Sequence, residues 1–112
     1  MRETFHLVPE AAWSATDPVA AYEAPSLEAE GFIHCTDGVA PLGMTFDRYY
    51  AADPRPFLAL TLDLDALEVP WRYDVPGSPY PHIYGPIDRT AVIDISRVDR
   101  AADGRFAGLS PS

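Results

Sequence analysis

The sequence predicts one α+β domain spanning residues 1–112, with five or more short strands and two or three short helices on one sheet system. Short runs rich in β-branched and aromatic residues alternate with stretches of helical spacing, and none of them forms an internal repeat. Twelve prolines and seven glycines fall mostly between these runs, where they mark turns rather than a linker. A chain of this length buries roughly two-thirds of its unfolded surface, which is enough for one core.

The first half of the chain is predicted to alternate strand and helix. ETFHLV, residues 3–8, has the composition of a strand, and Pro9 ends it while opening a short helix in EAAWSA. Ser26 is a candidate N-cap for a helical turn in LEAE, and Gly31 is a candidate stop. The segment GFIHCT, residues 31–36, therefore starts at a helix end and continues as an extended run.

The second half is predicted to hold one helix followed by strands. Pro41 is expected to open the helix LGMTFDRYYAA, and Pro54 is expected to stop it. FLALTLDL, residues 57–64, is the clearest strand, and its near-continuous apolar character indicates a central position in a sheet. WRYDV, HIYG and TAVIDISRV follow as three more short strands, and the last residues, GLSPS, are expected to be frayed.

The charge balance limits the partners that the chain is expected to have. Its net charge is −9, with eight arginines and no lysine, so neither an extended nucleic acid nor an anionic membrane is expected to bind. No stretch reaches the roughly 20 apolar residues of a membrane span, and a single cysteine forms no internal disulfide, so the expected location is cytoplasmic. An anionic ligand would have to meet an arginine, and Arg48 and Arg72 are the candidates.

The three histidines, His6, His34 and His82, each stand beside an apolar residue in a strand-like run. Each is open to a structural interpretation, as a strand histidine whose ring bonds the backbone, and to a functional one. A histidine can donate from one ring nitrogen while accepting at the other, which suits acid–base work or holding a ribose hydroxyl. We expect His34 and His82 to face one cleft with His6 on its wall, while Cys35 points to the opposite, buried face of its strand.

Five strings in the chain resemble one domain family. GFIHCT, DRYY, FLALTLDLDAL, WRYD and PHIYGPI, in this order, resemble the small bacterial family of unknown function DUF952, over the chain from Thr4 to Phe106. The resemblance implies a fold similar to the ADP-ribosyltransferase superfamily, with a split antiparallel sheet around a nucleotide-sized cleft. By the same analogy, His6 would bond a ribose hydroxyl of NAD and His34 would contact the nicotinamide.

The resemblance also separates this chain from transferases that modify protein side chains. Those enzymes orient the attacking nucleophile with a carboxylate, usually a glutamate, and many family members carry glutamate where this chain has Asp74. Asp47 likewise stands where many members have asparagine. The histidine- and arginine-rich set looks more like the branch that transfers a phosphate from RNA to NAD, although the acidic composition argues against an extended RNA.

The predicted site therefore takes NAD or a small nucleotide as a substrate, and no resident cofactor is expected. The histidine spacings of 28 and 48 residues match no metal-ligand motif, so no metal site is predicted. The predicted catalytic residues are His6, His34 and His82, and the predicted ligand contacts are Thr36, Arg48, Tyr49, Arg72, Asp74 and Tyr84.

Two other functions stay open at the level of sequence. The many tyrosines and tryptophans would suffice for a non-catalytic ligand sensor or interaction module. HCT, residues 34–36, also fits the H-x-[ST] pattern of two-histidine phosphoesterases, and HIY, residues 82–84, is an imperfect second copy. No oligomeric state is predicted.

Overall fold

A computed structural model describes all 112 residues as an α+β fold with two antiparallel sheets, which confirms the predicted class at that level. Three α-helices and two 3-10 turns accompany the sheets, and no helix is long and apolar enough to pass through a bilayer. The strands are β1 (Glu3–Pro9), β2 (Ile33–His34), β3 (Phe57–Asp63), β4 (Trp71–Arg72), β5 (His82–Ile83), β6 (Val92–Arg100) and β7 (Phe106–Pro111). The helices are α1 (Glu10–Ser14), α2 (Pro25–Glu30) and α3 (Val39–Tyr50), and the 3-10 turns are Leu64–Ala66 and Arg89–Ala91.

The large sheet has the strand order β1-β3-β6-β7, so β3 lies inside it as its apolar sequence predicted. Both faces of β3 are covered, because Leu58, Leu60 and Leu62 pack into one core and Phe57 and Ala59 pack into a second core against α3. A strand buried on both faces needs apolar residues at consecutive positions, which explains the FLALTL run.

The small sheet has the order β2-β5-β4 and carries the second half of the GFIHCT segment. His34 pairs with His82, and His82 pairs with Arg72, so the three side chains form one row across the sheet. A bridge between Phe5 and Thr36, with backbone hydrogen bonds of 2.9 and 2.8 Å, joins this sheet to β1. This bridge is the one point of backbone pairing between β1 and the segment that contains β2.

Two helix starts differ from the prediction. Helix α2 begins at Pro25, one residue before the predicted cap Ser26. Proline suits the first helical position because its φ is already close to the helical value. The N–H that it lacks would have no helical partner there. Helix α3 begins at Val39 rather than Pro41, with Gly38 at a φ of +87° just before it. Pro41 is then still in the first turn, where its missing N–H breaks no helical hydrogen bond.

The end of α3 and the end of the chain also differ from the prediction, for long-range reasons. The α-helix stops at Tyr50 rather than near Pro54, and the guanidinium of Arg100 donates to the carbonyl of Tyr50 at 2.9 Å and to that of Asp53 at 2.5 Å. Most of GLSPS is not frayed, because β7 runs to Pro111 and its Leu109 pairs with Val98 of β6.

Candidate functional site

The outward face of the small sheet collects six of the side chains in the GFIHCT, WRYD and PHIYG strings. Strand residues alternate between faces, so Ile33, Cys35 and Ile83 enter the core while their neighbours face outward. The rings of His34 and His82 have centroids 5.6 Å apart, so they share one face, as expected. We call this group the histidine face; its residues are Phe32, His34, Arg72, Asp74, His82 and Tyr84.

Asp74 organises the histidine face through its carboxylate. It accepts hydrogen bonds from Nδ1 of His82 at 2.6 Å, from Nε of Arg72 at 2.7 Å and from the hydroxyl of Tyr84. These three donors, the Tyr84 hydroxyl first, hold the pKa of the Asp74 carboxyl well below its usual range, so it is ionised near neutral pH. The same hydrogen bond raises the pKa of Tyr84, because the carboxylate favours the protonated phenol.

The partners of the two outward histidines fix which nitrogen carries the hydrogen. An ionised carboxylate only accepts, so Nδ1 of His82 donates to Asp74 and Nε2 of His34 donates to Glu30 at 3.0 Å. The remaining nitrogens are Nε2 of His82 and Nδ1 of His34, and no protein group bonds them. Phe32 stacks on His82 with ring centroids 4.0 Å apart and an interplanar angle of 18°, which fixes the plane of that ring.

A cavity of about 620 Å³ opens beside this face, where β1 and β2 separate beyond their single bridge. Its volume falls within the usual range for small-molecule sites. Its walls come from β1, from residues 22–26, from α3 and from the loop before β3. Side chains that line it and can stack on or bond a ligand are His6, Tyr22, Ser26, Glu30, His34, Thr36, Thr45, Tyr49, Tyr50 and Arg55.

His6 is a buried polar residue that lines this cavity. Its Nδ1 donates to the backbone carbonyl of His34 at 2.7 Å, so its Nε2 is left as an acceptor, and that atom is buried with no partner. Burial lowers the pKa of His6 to about 4, so the ring is neutral at physiological pH. A buried acceptor without a partner is uncommon in folded proteins and is a feature that needs an explanation.

The arginine at the cavity is not one of the two that the sequence suggested. Arg55 lines it, held by Asp53 at 2.7 Å, and this ion pair raises the pKa of Arg55 and lowers that of Asp53 to about 2. Arg48 is exposed and lies over the ring of Tyr49, outside the cavity wall. Arg72 lies on the histidine face. A ligand phosphate inside the cavity would therefore meet Arg55.

The predicted site residues fall into two adjoining groups. His6, Thr36 and Tyr49 line the cavity, whereas Arg72, Asp74, His82 and Tyr84 lie on the histidine face. His34 belongs to both, because it lines the cavity and its ring neighbours His82. Only Arg48 joins neither group. The expectation of one cleft that contains all three histidines is therefore replaced by a cavity and a flanking surface that meet at His34.

Several side chains that build these two groups were not predicted from the sequence. Tyr22 is 3% exposed and lines the cavity because its backbone pairs with Ile87. This pairing joins two segments far apart in the chain, so no local sequence pattern predicts it. Glu30 could have been found, since it lies four residues before His34 at a helix end. Phe32 could also have been found, since alternation places it on the face of His34.

A second concave region, of about 440 Å³, lies along the ends of β6 and β7. It holds Asp94, Ser96 and Ser110 and contains no histidine or aromatic ring. No group of three or more metal-ligating side chains is arranged to hold a metal ion anywhere in the fold. The chemistry is therefore concentrated around His34.

The sequence of the chain identifies the protein family to which it belongs. The chain is a member of DUF952, described as a protein of unknown function, whose family model matches residues 7–95, which confirms the predicted family. No curated protein matches the chain.

Solved structures of protein CC0527 from Caulobacter crescentus are similar to the chain in fold. Its crystal structure has a TM-score of 0.75 at 20% sequence identity and covers 95% of this chain and 94% of that one. The solution NMR structure of the same protein has a TM-score of 0.71 at 22% identity, covering 94% of this chain and 91% of that one. At these identities the likeness concerns the fold alone.

Proposed function

We propose that the chain binds NAD or a small nucleotide in the cavity beside β1, with His6 as the acceptor for a ligand hydroxyl. Two observations about His6 carry this proposal: the residue lines the cavity of about 620 Å³, and its buried Nε2 lacks a hydrogen-bond partner. An unsatisfied buried acceptor costs roughly 1–3 kcal/mol, and a ligand donor would remove that cost.

The chemistry of the wall favours a nucleoside over a purely apolar ligand. Tyr22, Tyr49 and Tyr50 offer ring faces for a base or a nicotinamide, and Thr36 and Ser26 add hydroxyls. A ribose hydroxyl supplies the donor that His6 needs. Arg55 is the cation at the cavity wall and suits a phosphate, while the net charge of −9 disfavours a polyanion.

The proposal extends to the parts of the ligand that the two histidines contact. A split between two antiparallel sheets, with a histidine on the first strand and another on the next, is what the resemblance to the ADP-ribosyltransferase superfamily implies. His6 lies on β1 and His34 lies on β2, which is compatible with this analogy. Under this proposal, His6 contacts the ribose and His34 contacts the nicotinamide.

Thermal-shift and calorimetric titrations with NAD, ADP-ribose and adenosine monophosphate test the binding. A ligand at about 100 times its dissociation constant adds about 2.7 kcal/mol of stability, so binding should raise the melting temperature clearly. The 2′-deoxy and 3′-deoxy forms of the monophosphate should bind more weakly if a ribose hydroxyl donates to His6. Absence of any shift with all three ligands at millimolar concentration would contradict the proposal and favour an interaction module.

Matched tyrosine variants locate the ligand. Tyr49→Ala removes an exposed ring from the cavity wall and should weaken binding, with little change in folding. Tyr80→Ala removes an exposed tyrosine that lies outside the cavity, so it should leave binding unchanged. Equal loss of affinity in both variants would place the ligand elsewhere.

A further inference from the structure

We propose that the histidine face cleaves phosphoesters, with His82 as the general base, His34 as the general acid and Arg72 as the phosphate-binding group. The proposal rests on the proposed function, since its substrate is the nucleotide that the neighbouring cavity holds. His34 lines that cavity and also begins the row that crosses the small sheet, so a phosphoester leaving the cavity at His34 reaches His82 next.

His82 has the geometry of a general base. Its Nδ1 donates to Asp74 at 2.6 Å, which leaves Nε2 with a lone pair that no protein group occupies. Phe32 stacks on the ring at 4.0 Å, and the side chain is only 19% exposed, so the direction of Nε2 is held. A base must present a free nitrogen in a fixed direction to the proton that it takes. Asp74 acts through His82 and is therefore a positioning residue.

His34 is placed to serve as the acid on the same face. Its Nε2 donates to Glu30 at 3.0 Å, so Nδ1 is the nitrogen free to exchange a proton with a substrate. The strands that carry His34 and His82 are paired in register, and the two ring centroids are 5.6 Å apart. Two histidines at this separation can act on the attacking and leaving oxygens of one phosphorus atom.

Arg72 completes the row on the other side of His82. Its Nε bonds Asp74 at 2.7 Å, and the guanidinium lies over the Tyr84 ring at 4.2 Å. The two terminal nitrogens are not used by the carboxylate, and the side chain is 63% exposed. A planar guanidinium with free N–H groups matches a phosphate, which makes this row specific for a phosphoester rather than an uncharged ester.

The step consumes one water and conserves protons. Nε2 of His82 takes a proton from the water while the water oxygen forms a bond to phosphorus. The bond between phosphorus and the ester oxygen breaks, and that oxygen takes the Nδ1 proton of His34, which enters the step as an imidazolium with its Nε2–H bonded to Glu30. Arg72 offsets the charge that develops on the phosphate oxygens. The products are a phosphate and an alcohol, and both histidines return to their starting states by exchange with solvent.

Two probes test the reaction: adenosine 2′,3′-cyclic phosphate and the p-nitrophenyl ester of adenosine 5′-monophosphate. Products are separated by chromatography and identified by ³¹P NMR, and binding of each probe is measured by calorimetry in parallel. The wild-type chain should cleave at least one probe. His82→Gln should retain binding and lower kcat about 10²- to 10⁴-fold, the usual contribution of a positioned acid or base.

Variants of the supporting residues separate positioning from folding. Asp74→Asn should lower kcat with KM unchanged. It should also shift the pH–rate profile. The charged or titratable neighbours of His82 that also contribute to this profile are Glu30, His34, Arg72 and Tyr84. Arg72→Gln should raise KM and also lower kcat, because Arg72 both binds the phosphate and offsets the charge that develops on it. Asp103→Asn is the matched control, because this carboxylate only accepts from the backbone of Arg105 on the β6–β7 turn, so its rate should equal that of the wild type. Circular dichroism confirms that each variant is folded.

The outcomes distinguish this inference from the binding proposal. Probes that bind but are not cleaved overturn the inference and leave nucleotide binding intact. Probes that neither bind nor react overturn both. Cleavage that persists at the wild-type rate in His82→Gln overturns the assignment of the base, and His34→Gln tests the acid independently if the His82 variant does not fold.

Discussion

His6 and His82 use the same ring nitrogen in two different surroundings, and the contrast separates their chemistry. Both donate from Nδ1, but His6 donates to a backbone carbonyl and is 7% exposed, whereas His82 donates to a carboxylate and its side chain is 19% exposed. Burial without a charge partner keeps His6 neutral, so it can only accept from a ligand. In the proposed reaction, the carboxylate of Asp74 holds His82 in position to take a proton from water.

The surroundings of a histidine, rather than its presence in a motif, determine what it can do. Both rings lie on paired strands, and both leave Nε2 free of protein partners. A fixed acceptor suits recognition, because it does not change charge during binding. A titratable ring held by an aspartate suits proton transfer.

The largest expected effect is the dependence of stability on pH that His6 imposes. Its pKa is about 4 in the folded chain against an ordinary value of 6.5, so the unfolded chain takes up the proton first as pH falls. Stability should be complete above pH ~6.5 and should decline by about 3 kcal/mol as pH falls toward 4. Urea unfolding at several pH values measures this, and His6→Gln, which does not titrate, should show a shallower decline. Identical slopes would place His6 in a wetter environment than the structure gives it.

A second contrast lies between the neighbours His34 and Cys35. Cys35 is 3% exposed, burial raises the pKa of its thiol, and Cys35→Ser would place a hydroxyl in the core at a cost of roughly 1–3 kcal/mol. The His34 side chain is 54% exposed, so His34→Ala should cost less stability while removing ligand binding. Denaturation and calorimetry on both variants test this. If His34→Ala is the more destabilising and still binds ligand, the histidine is structural.

Gly85 tests how firmly β5 holds His82. A Cβ at this position would lie 2.6 Å from Cγ1 of Val69, so Gly85→Ala forces the loop and the strand apart. Overpacking of this kind costs typically 1–3 kcal/mol, and the half-buried Val69 can move, which favours the lower part of that range. Val69→Ala in the same chain should restore part of the loss. Failure of this second change to help would show that the glycine is required for another reason.

The fold was predictable where its determinants are local. Strand β3 follows from an uninterrupted apolar run, and β1 follows from residue types that favour extended backbone. The end of α3 and the pairing of β7 were wrong because they depend on Arg100 and β6, which reach these segments from the far end of the chain. Asp47 is another long-range link between α3 and β7, since its carboxylate accepts from the backbone N–H of Phe106 at 2.7 Å.

The candidate site was predictable in part, for a related reason. Alternation along β2 places Phe32 and His34 outward and Cys35 inward, and this needs no knowledge of the sheet. The register that pairs His34 with His82, and His82 with Arg72, comes from strand pairing over long separations. The cavity is harder still to predict from the sequence, because Tyr22 and Arg55 reach it from loops whose positions follow from the whole fold.

The smallest expected effect sharpens the contrast at the hydroxyl of Tyr84. Its hydrogen bond to Asp74 raises the pKa of Tyr84 above the ordinary 10.0, while Arg72 opposes the shift. In Asp74→Asn the negative charge is gone and Arg72 remains, so the pKa of Tyr84 should fall back toward or below its ordinary value, with little change in folding. NMR titration of the tyrosine ring signals follows this group individually, and Tyr80, an exposed tyrosine outside the network, is the internal reference. A Tyr84 titration that does not change in Asp74→Asn would mean that the carboxylate is not held against the hydroxyl in solution. His82 would then also lack the fixed partner that distinguishes it from His6.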